Sequence, residues 1–315
     1  MKNANEKTDI QIHGNILMCL SVLLGMAVYY YGLRALVTAA LSAAVCVFCD
    51  FVCVKMRKRD VDFSDLSSLC TGLAIALMMP ASVPYYIIVI CGVFGTAIVK
   101  HCFGGHGCEI FSPACTAYIF AEICYSSEVL SYPKVFDRPD LRSAVSNDLF
   151  PSFSKTMQTA TTSPVSDYEM LIGRCLSPMG TGIIVLLAVM GIYLMAVRIS
   201  SFEVFLSQTA VYALSALILG GGASGIKYDI CGGMYLFVSI FIICRNAPKT
   251  LKGRIIYGIC SGALIGIFRY CALAENPAVY AAVIAAPVGI IISDREAQRK
   301  EAAADVGTGT ASGAE

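Results

Sequence analysis

Charged residues are scarce in this sequence. Asp, Glu, Lys and Arg make up 14% of its 315 residues, where soluble domains carry roughly a quarter. Hydrophobic residues reach 57% and the mean hydropathy is +0.70. A soluble chain is thereby excluded, because it would expose more apolar area than water tolerates. Neither sign of charge dominates: the net charge is +1, which removes the electrostatic case for nucleic acid. A cleavable leader is not expected, since the residues up to Ile10 are polar and the first apolar run leads straight into another. A dinucleotide-binding glycine fingerprint is absent, so the chain is not expected to bind NADH directly.

A Cys/His ligand cluster is also lacking, although there are fifteen cysteines. Cys46 and Cys49 have the C-x-x-C spacing of metal and redox sites. Most of the others lie in apolar runs, where Cys acts as a small hydrophobe on a packed helix face. With no further ligands nearby, that reading covers Cys46 and Cys49 too.

What is present is a series of apolar runs approaching the roughly 20 residues that cross a bilayer. They predict an all-α integral membrane protein of about ten helices, at 15–31, 35–54, 67–80, 84–99, 110–124, 179–197, 203–220, 230–244, 254–270 and 277–292. If the N-terminus is cytoplasmic and every helix crosses, fifteen Lys and Arg fall inside and eight outside. Five of those eight sit in one long loop, where charge counts little. Both termini are therefore placed in the cytoplasm, with the chain multi-pass in the inner membrane. The expected divisions are a five-helix half over 1–124, a hydrophilic outer loop over 125–177, a second half over 178–293, and a disordered tail over 294–315.

Two stretches resemble each other. Residues 87–122 pass through Gly92, Gly95, Lys100, Cys102, Glu109, Pro113 and Ala114. Residues 255–285 pass through Gly258, Gly262, Arg269, Cys271, Glu275, Pro277 and Ala278. In each, a Gly-bearing helix ends in a base, and Glu then Pro-Ala opens the next helix, where proline is tolerated. A five-helix unit is odd-numbered, so its second copy enters from the opposite face. Two inverted repeats would place sites near the interface of the halves. Chance similarity between Gly-rich segments is the competing account.

The run Phe103-Gly104-Gly105-His106-Gly107-Cys108-Glu109-Ile110-Phe111-Ser112-Pro113-Ala114 carries the most information. Gly104, Gly105 and Gly107 allow a tight turn and close approach to a ligand. The helix that follows offers unpaired N–H groups suited to a phosphate or an electron-rich ring. The run resembles a loop of one membrane-protein family. That family holds the B subunit of the sodium-translocating NADH:quinone reductase and the D subunit of the Rnf electron-transport complex, and the loop reads approximately F-G-G-x-G-x-N-x-F-N-P-A. Glu109 and Ser112 replace its two asparagines. Tyr31-Gly32-Leu33-Arg34, Thr71-Gly72-Leu73-Ala74, Gly173-Arg174-Cys175 and Lys252-Gly253-Arg254 also match, so the resemblance covers about residues 15–294. The length is similar to the Rnf D subunit. Where the family carries Thr-Asp-Pro, this chain has Arg245-Asn246-Ala247-Pro248, and it is identified as a divergent member.

The resemblance implies FMN joined through its phosphate to a Thr hydroxyl of an S-G-A-T motif in the outer loop. The matching stretch is Gln158-Thr159-Ala160-Thr161-Thr162-Ser163. Thr161 is the expected attachment residue, with Thr162 and Ser163 as alternatives. Only Ala-Thr survives from the motif, and Thr159 is bulkier than the glycine it replaces. A second, non-covalent flavin is also implied. Tethering would hold FMN on an open face at high effective concentration. The implied partners are the other Rnf-type subunits and the lipid bilayer, with ferredoxin as donor and NAD⁺ as acceptor handled elsewhere in the complex.

Asp50 and Glu122 fall inside predicted helices, where a carboxylate usually faces a partner or a water path. Each is a candidate for coupling ion movement to electron flow, against the plainer account that both lie near helix ends. Arg34 and Arg269, at outer helix ends, are candidates for holding a flavin phosphate or a lipid head group, against simple snorkelling. His106 is expected to make a backbone contact rather than bind metal. Two functional classes follow: a redox subunit carrying FMN, and a channel or secondary transporter of the same inverted-repeat design without a redox cofactor.

Overall fold

The computed structural model describes residues 2–58, 66–105, 109–136, 149–152, 156, 166–219 and 223–311. Helices α1 (Lys2–Tyr31), α2 (Leu33–Met56) and α3 (Ser67–Met78) come first. α4 (Tyr85–Val93) then passes into a π-helical stretch over Phe94–Lys100. α5 (Pro113–Cys124) and the single turn α6 (Ser126–Val129) follow. The loop beyond contains strands β1 (Ser131–Tyr132) and β2 (Phe150–Pro151), paired antiparallel, and helix α7 (Asp167–Ile172). The chain continues through α8 (Ile184–Ala196), α9 (Phe202–Leu219), α10 (Ala223–Cys231) and α11 (Tyr235–Val238). A second π-helical stretch extends α11 over Ser239–Ile243, and α12 (Leu251–Tyr270) and α13 (Pro277–Ala311) close the fold.

Each of the ten apolar stretches predicted from sequence contains helix. Among the described residues, five segments are long and apolar enough to cross a bilayer: Ile10–Tyr31, Leu33–Met56, Phe202–Leu219, Leu251–Tyr270 and Pro277–Glu296. The others are shorter, and prolines set several of their limits. α3 ends two residues before Pro80, and Pro113 opens α5. The tail expected to lack order instead continues α13 to Ala311. Its Ala, Glu, Gln, Arg and Lys are strong helix formers, and the apolar helix before them supplies the nucleus that a free peptide lacks.

Hydrogen bonds sort the helix ends onto two ends of the bundle. At one end, Lys100 closing α4 donates to Ser68 Oγ opening α3, at 2.7 Å. Thr250, the cap of α12, hydrogen-bonds Glu296 on α13 at the same end. At the other end, Arg34 of α2 donates to the carbonyls of Ala81 and Val83, beyond α3, at 2.8 and 3.1 Å. The Gly180 amide there donates to the Leu77 carbonyl at 2.8 Å.

Small residues let the backbones approach. A Cβ on Gly262 of α12 would lie 2.6 Å from the Gln208 carbonyl oxygen of α9, the close helix contact expected in apolar surroundings. Large apolar side chains such as Phe48, Ile123, Ile192, Leu206 and Ile218 point outward. That surface suits lipid, and the helical backbone beneath it satisfies its own hydrogen bonds.

Candidate functional site

The end of the glycine-rich run opens α5 at the lip of a cavity of about 220 Å³. Ser67 and Thr71 of α3, Glu109, Ser112, Arg245 and Asn246 form its polar wall, and Phe111, Pro113 and Phe241 supply apolar faces. The set combines aromatic surface with donors and acceptors at its edge, which fits a planar heteroaromatic ring such as a flavin. Residues from both halves of the chain contribute.

Gly104 and Gly105 do not line that cavity. Their φ values are +126° and +92°, conformations that glycine adopts without strain. The Gly104 amide donates to His101 O at 3.3 Å and the Gly105 amide to Lys100 O at 3.2 Å. These bonds satisfy carbonyls at the end of the π-helical stretch, so the two glycines terminate the helix. His106 and Gly107 lie outside the described residues.

Thr161, Thr162 and Ser163 also lie outside the described residues, but both flanks of their segment are placed. Upstream, Phe150 pairs with Tyr132 across the two-stranded ladder. Downstream, Ser166 and Glu169 form a reciprocal capping box on α7. Between the flanks is a second cavity, of about 350 Å³, lined by Lys134, Val135, Phe136, Phe150, Arg174 and Leu176. Lys134 Nζ sits 4.8 Å from the Phe150 ring centroid, and the Arg174 guanidinium 5.9 Å from that of Phe136. Two cations beside two aromatic rings fit a phosphate-bearing aromatic group. Neighbouring Cys175 is no competing nucleophile at neutral pH, because burial pushes its thiol up to about 11.

Asp50, Arg34 and Arg269 are each engaged inside the protein. Asp50 meets Lys100 at 3.3 Å and His101 at 2.6 Å. Arg57, next to α2, donates to the His101 carbonyl. Lys55, by contrast, turns to the Phe51 ring. Arg34 is 1% exposed and stacks 5.1 Å from Tyr85 while donating to the carbonyls beyond α3. Arg269 grips Asp229 of α10 through Nε at 2.9 Å and a terminal nitrogen at 2.8 Å. Among the described residues, no group of three His, Cys, Asp or Glu is placed to hold a metal, and no disulfide joins the described cysteines.

Glu122, on α5, is buried with Glu275 and Asn276 from the link before α13. Tyr118, Tyr132 and Tyr280 surround them. Sequence reasoning had not joined Glu275 or Tyr132 to Glu122, nor Asp229 to Arg269. The one available signal was a Glu before Pro-Ala inside an apolar stretch.

Residues 3–299 match the family described as NQR2, RnfD, RnfE. The chain belongs to this family. One relative is the D subunit of the Na⁺-translocating ferredoxin:NAD⁺ oxidoreductase complex of Acetobacterium woodii. It is 28% identical over 258 residues, covering 81% of this chain and 79% of the relative. The D subunit of the ion-translocating oxidoreductase complex of Methanosarcina acetivorans is 29% identical over 246 residues, covering 78% and 75%. The D subunit of the proton-translocating ferredoxin:NAD⁺ oxidoreductase complex of Clostridium ljungdahlii is 22% identical over 254 residues, covering 77% and 76%. Against the family pattern given above, Glu109 and Ser112 stand for asparagines and Asn246 for aspartate. The fold brings all three departures to the same cavity.

Proposed function

We propose that this chain is the D-type membrane subunit of an Rnf-type, ion-translocating ferredoxin:NAD⁺ oxidoreductase complex, carrying electrons on flavin while the complex moves Na⁺ or H⁺. The observation that carries the reading is similarity to relatives named as D subunits, along about four-fifths of both chains. Other subunits of the complex are the partners that handle ferredoxin and NAD⁺. Ten crossings in two inverted five-helix halves, with both termini in the cytoplasm, fit the Lys and Arg bias and the alternating helix ends.

FMN attaches through its phosphate to Thr161, and Lys134 and Arg174 offer it cations while Phe136 and Phe150 offer it ring faces. A second flavin, held without a covalent bond, lies in the cavity at the start of α5, with Glu109, Ser112 and Asn246 at its polar edge. Bound flavin supplies one- and two-electron transfer. The chain's own residues orient it, neutralise its phosphate and limit the access of water.

The test is mass spectrometry of the peptide between Lys155 and Arg174, with in-gel flavin fluorescence under denaturing conditions. The expected result is an added mass of FMN minus water and a fluorescent band that Thr161→Ala abolishes. An unmodified peptide in a colourless protein that moves solute in liposomes would replace this reading with a channel or transporter.

A further inference from the structure

Glu122 lies near the end of α5 in the first half, and Glu275 and Asn276 lie just before α13 in the second. The fold brings these residues together, although the whole outer loop and most of the second half separate them along the chain. Glu122 is 8% exposed and Glu275 5%. The groups acting most strongly on the Glu122 carboxyl are the nearby Tyr280 hydroxyl and the Glu275 carboxyl. No Lys or Arg is among them. Asn276 Nδ2 donates to the Tyr118 hydroxyl at 2.9 Å, which turns the amide nitrogen away and leaves its oxygen as a further acceptor.

Two atoms in this cluster are left over. Glu122 Oε2 accepts no hydrogen bond from the described residues. The Tyr132 hydroxyl is fully buried and makes no hydrogen bond to any described residue. Buried polar atoms are nearly always partnered, and each exception needs an explanation such as a bound ion or water. Tyr132 is not part of the acidic pair. It comes from β1 in the outer loop, so its unsatisfied oxygen is an independent sign of a missing partner.

We propose that Glu122, Glu275 and the Tyr132 hydroxyl are ligands of a monovalent-cation site between the two halves, with Na⁺ as its occupant. All the available donors are oxygens, the ligands that hard cations take. A cation supplies what both leftover atoms lack and offsets carboxylate charge taken out of water. Placement between the halves is also where a translocated ion is expected in such architectures. This inference rests on the ion-translocating reading above and names a residue set for it.

Binding of radiolabelled Na⁺ to the purified full-length chain tests it. Wild type should bind saturably, and Glu122→Gln and Glu275→Gln should each weaken binding roughly tenfold or more, with a smaller loss for Tyr132→Phe. Each variant is checked for a monodisperse elution profile. If the carboxylate variants fail to fold, Tyr132→Phe carries the test, because it removes one oxygen and little else. Absence of saturable binding would overturn the proposal. So would affinities unchanged in the folded variants, or carboxyls that exchange protons with no response to Na⁺. Flavin fluorescence is read on the same samples. Flavin without Na⁺ binding rejects this site alone, and Na⁺ binding without flavin rejects the redox reading and leaves the site standing.

Discussion

Lys100 and Arg269 each close a helix, one in the N-terminal and one in the C-terminal part of the chain, and both are buried against an aspartate. The two pairs are built differently. Lys100 reaches Asp50 with a single ammonium contact of 3.3 Å, and His101 and Ser68 share the cluster at 2.6 and 2.7 Å. Arg269 holds Asp229 through two nitrogens at 2.9 and 2.8 Å, and the Tyr270 hydroxyl donates to the other carboxylate oxygen. A lysine is a compact point charge on a flexible stem, whereas an arginine fixes geometry with its planar fork. The second half therefore uses its pair as a clamp. The first half keeps a looser cluster around a single ammonium contact, set against a π-helical stretch of the kind often found at functional sites.

The largest effect that would break this comparison comes from Asp229→Ala. Removing one partner of a buried pair leaves the other charge uncompensated, which costs roughly 3–5 kcal/mol. The expected outcome is the steepest fall in melting temperature in detergent, or loss of monodisperse protein. Next comes Arg269→Lys, which keeps the charge and loses the fork. It should cost about 1.5–3 kcal/mol, the range for a hydrogen bond to a charged group, measured by the same thermal shift. Equal losses from Arg269→Lys and from Lys100→Arg would erase the distinction between clamp and looser cluster. The smallest effect is predicted for packing. Gly262→Ala and Gly72→Ala each push a methyl into a neighbouring helix, at 2.6 Å from Gln208 O and 2.7 Å from Ala43 Cα. Each should cost about 1–3 kcal/mol by overpacking, and similar values at both positions would show that the halves share their packing while differing in their charges.

Much of the architecture was readable in advance because it depends on local properties. Apolar runs and prolines marked the helices, and Pro113 opened α5 where expected. Beyond Asp294 the helix runs on to Ala311, as a helix already nucleated carries good helix formers onward. The glycine-rich run was legible as a turn, yet its first two glycines serve the end of α4 and only its far end, from Glu109, reaches a cavity. Arg34 and Arg269 read as bases at helix ends, free to meet a phosphate or a head group. Burial gives both of them protein partners instead.

Immersion in the bilayer, the approximate helix positions and the family were determined by the sequence alone. Hydropathy and backbone satisfaction in lipid act segment by segment, and they leave helix as the answer for each apolar run. Which side chains meet was decided only by the tertiary structure. Glu122 finds Glu275, Arg269 finds Asp229, and three scattered departures from the family pattern converge on one cavity. Those meetings depend on how distant helices pack and in what register, and no local preference encodes that.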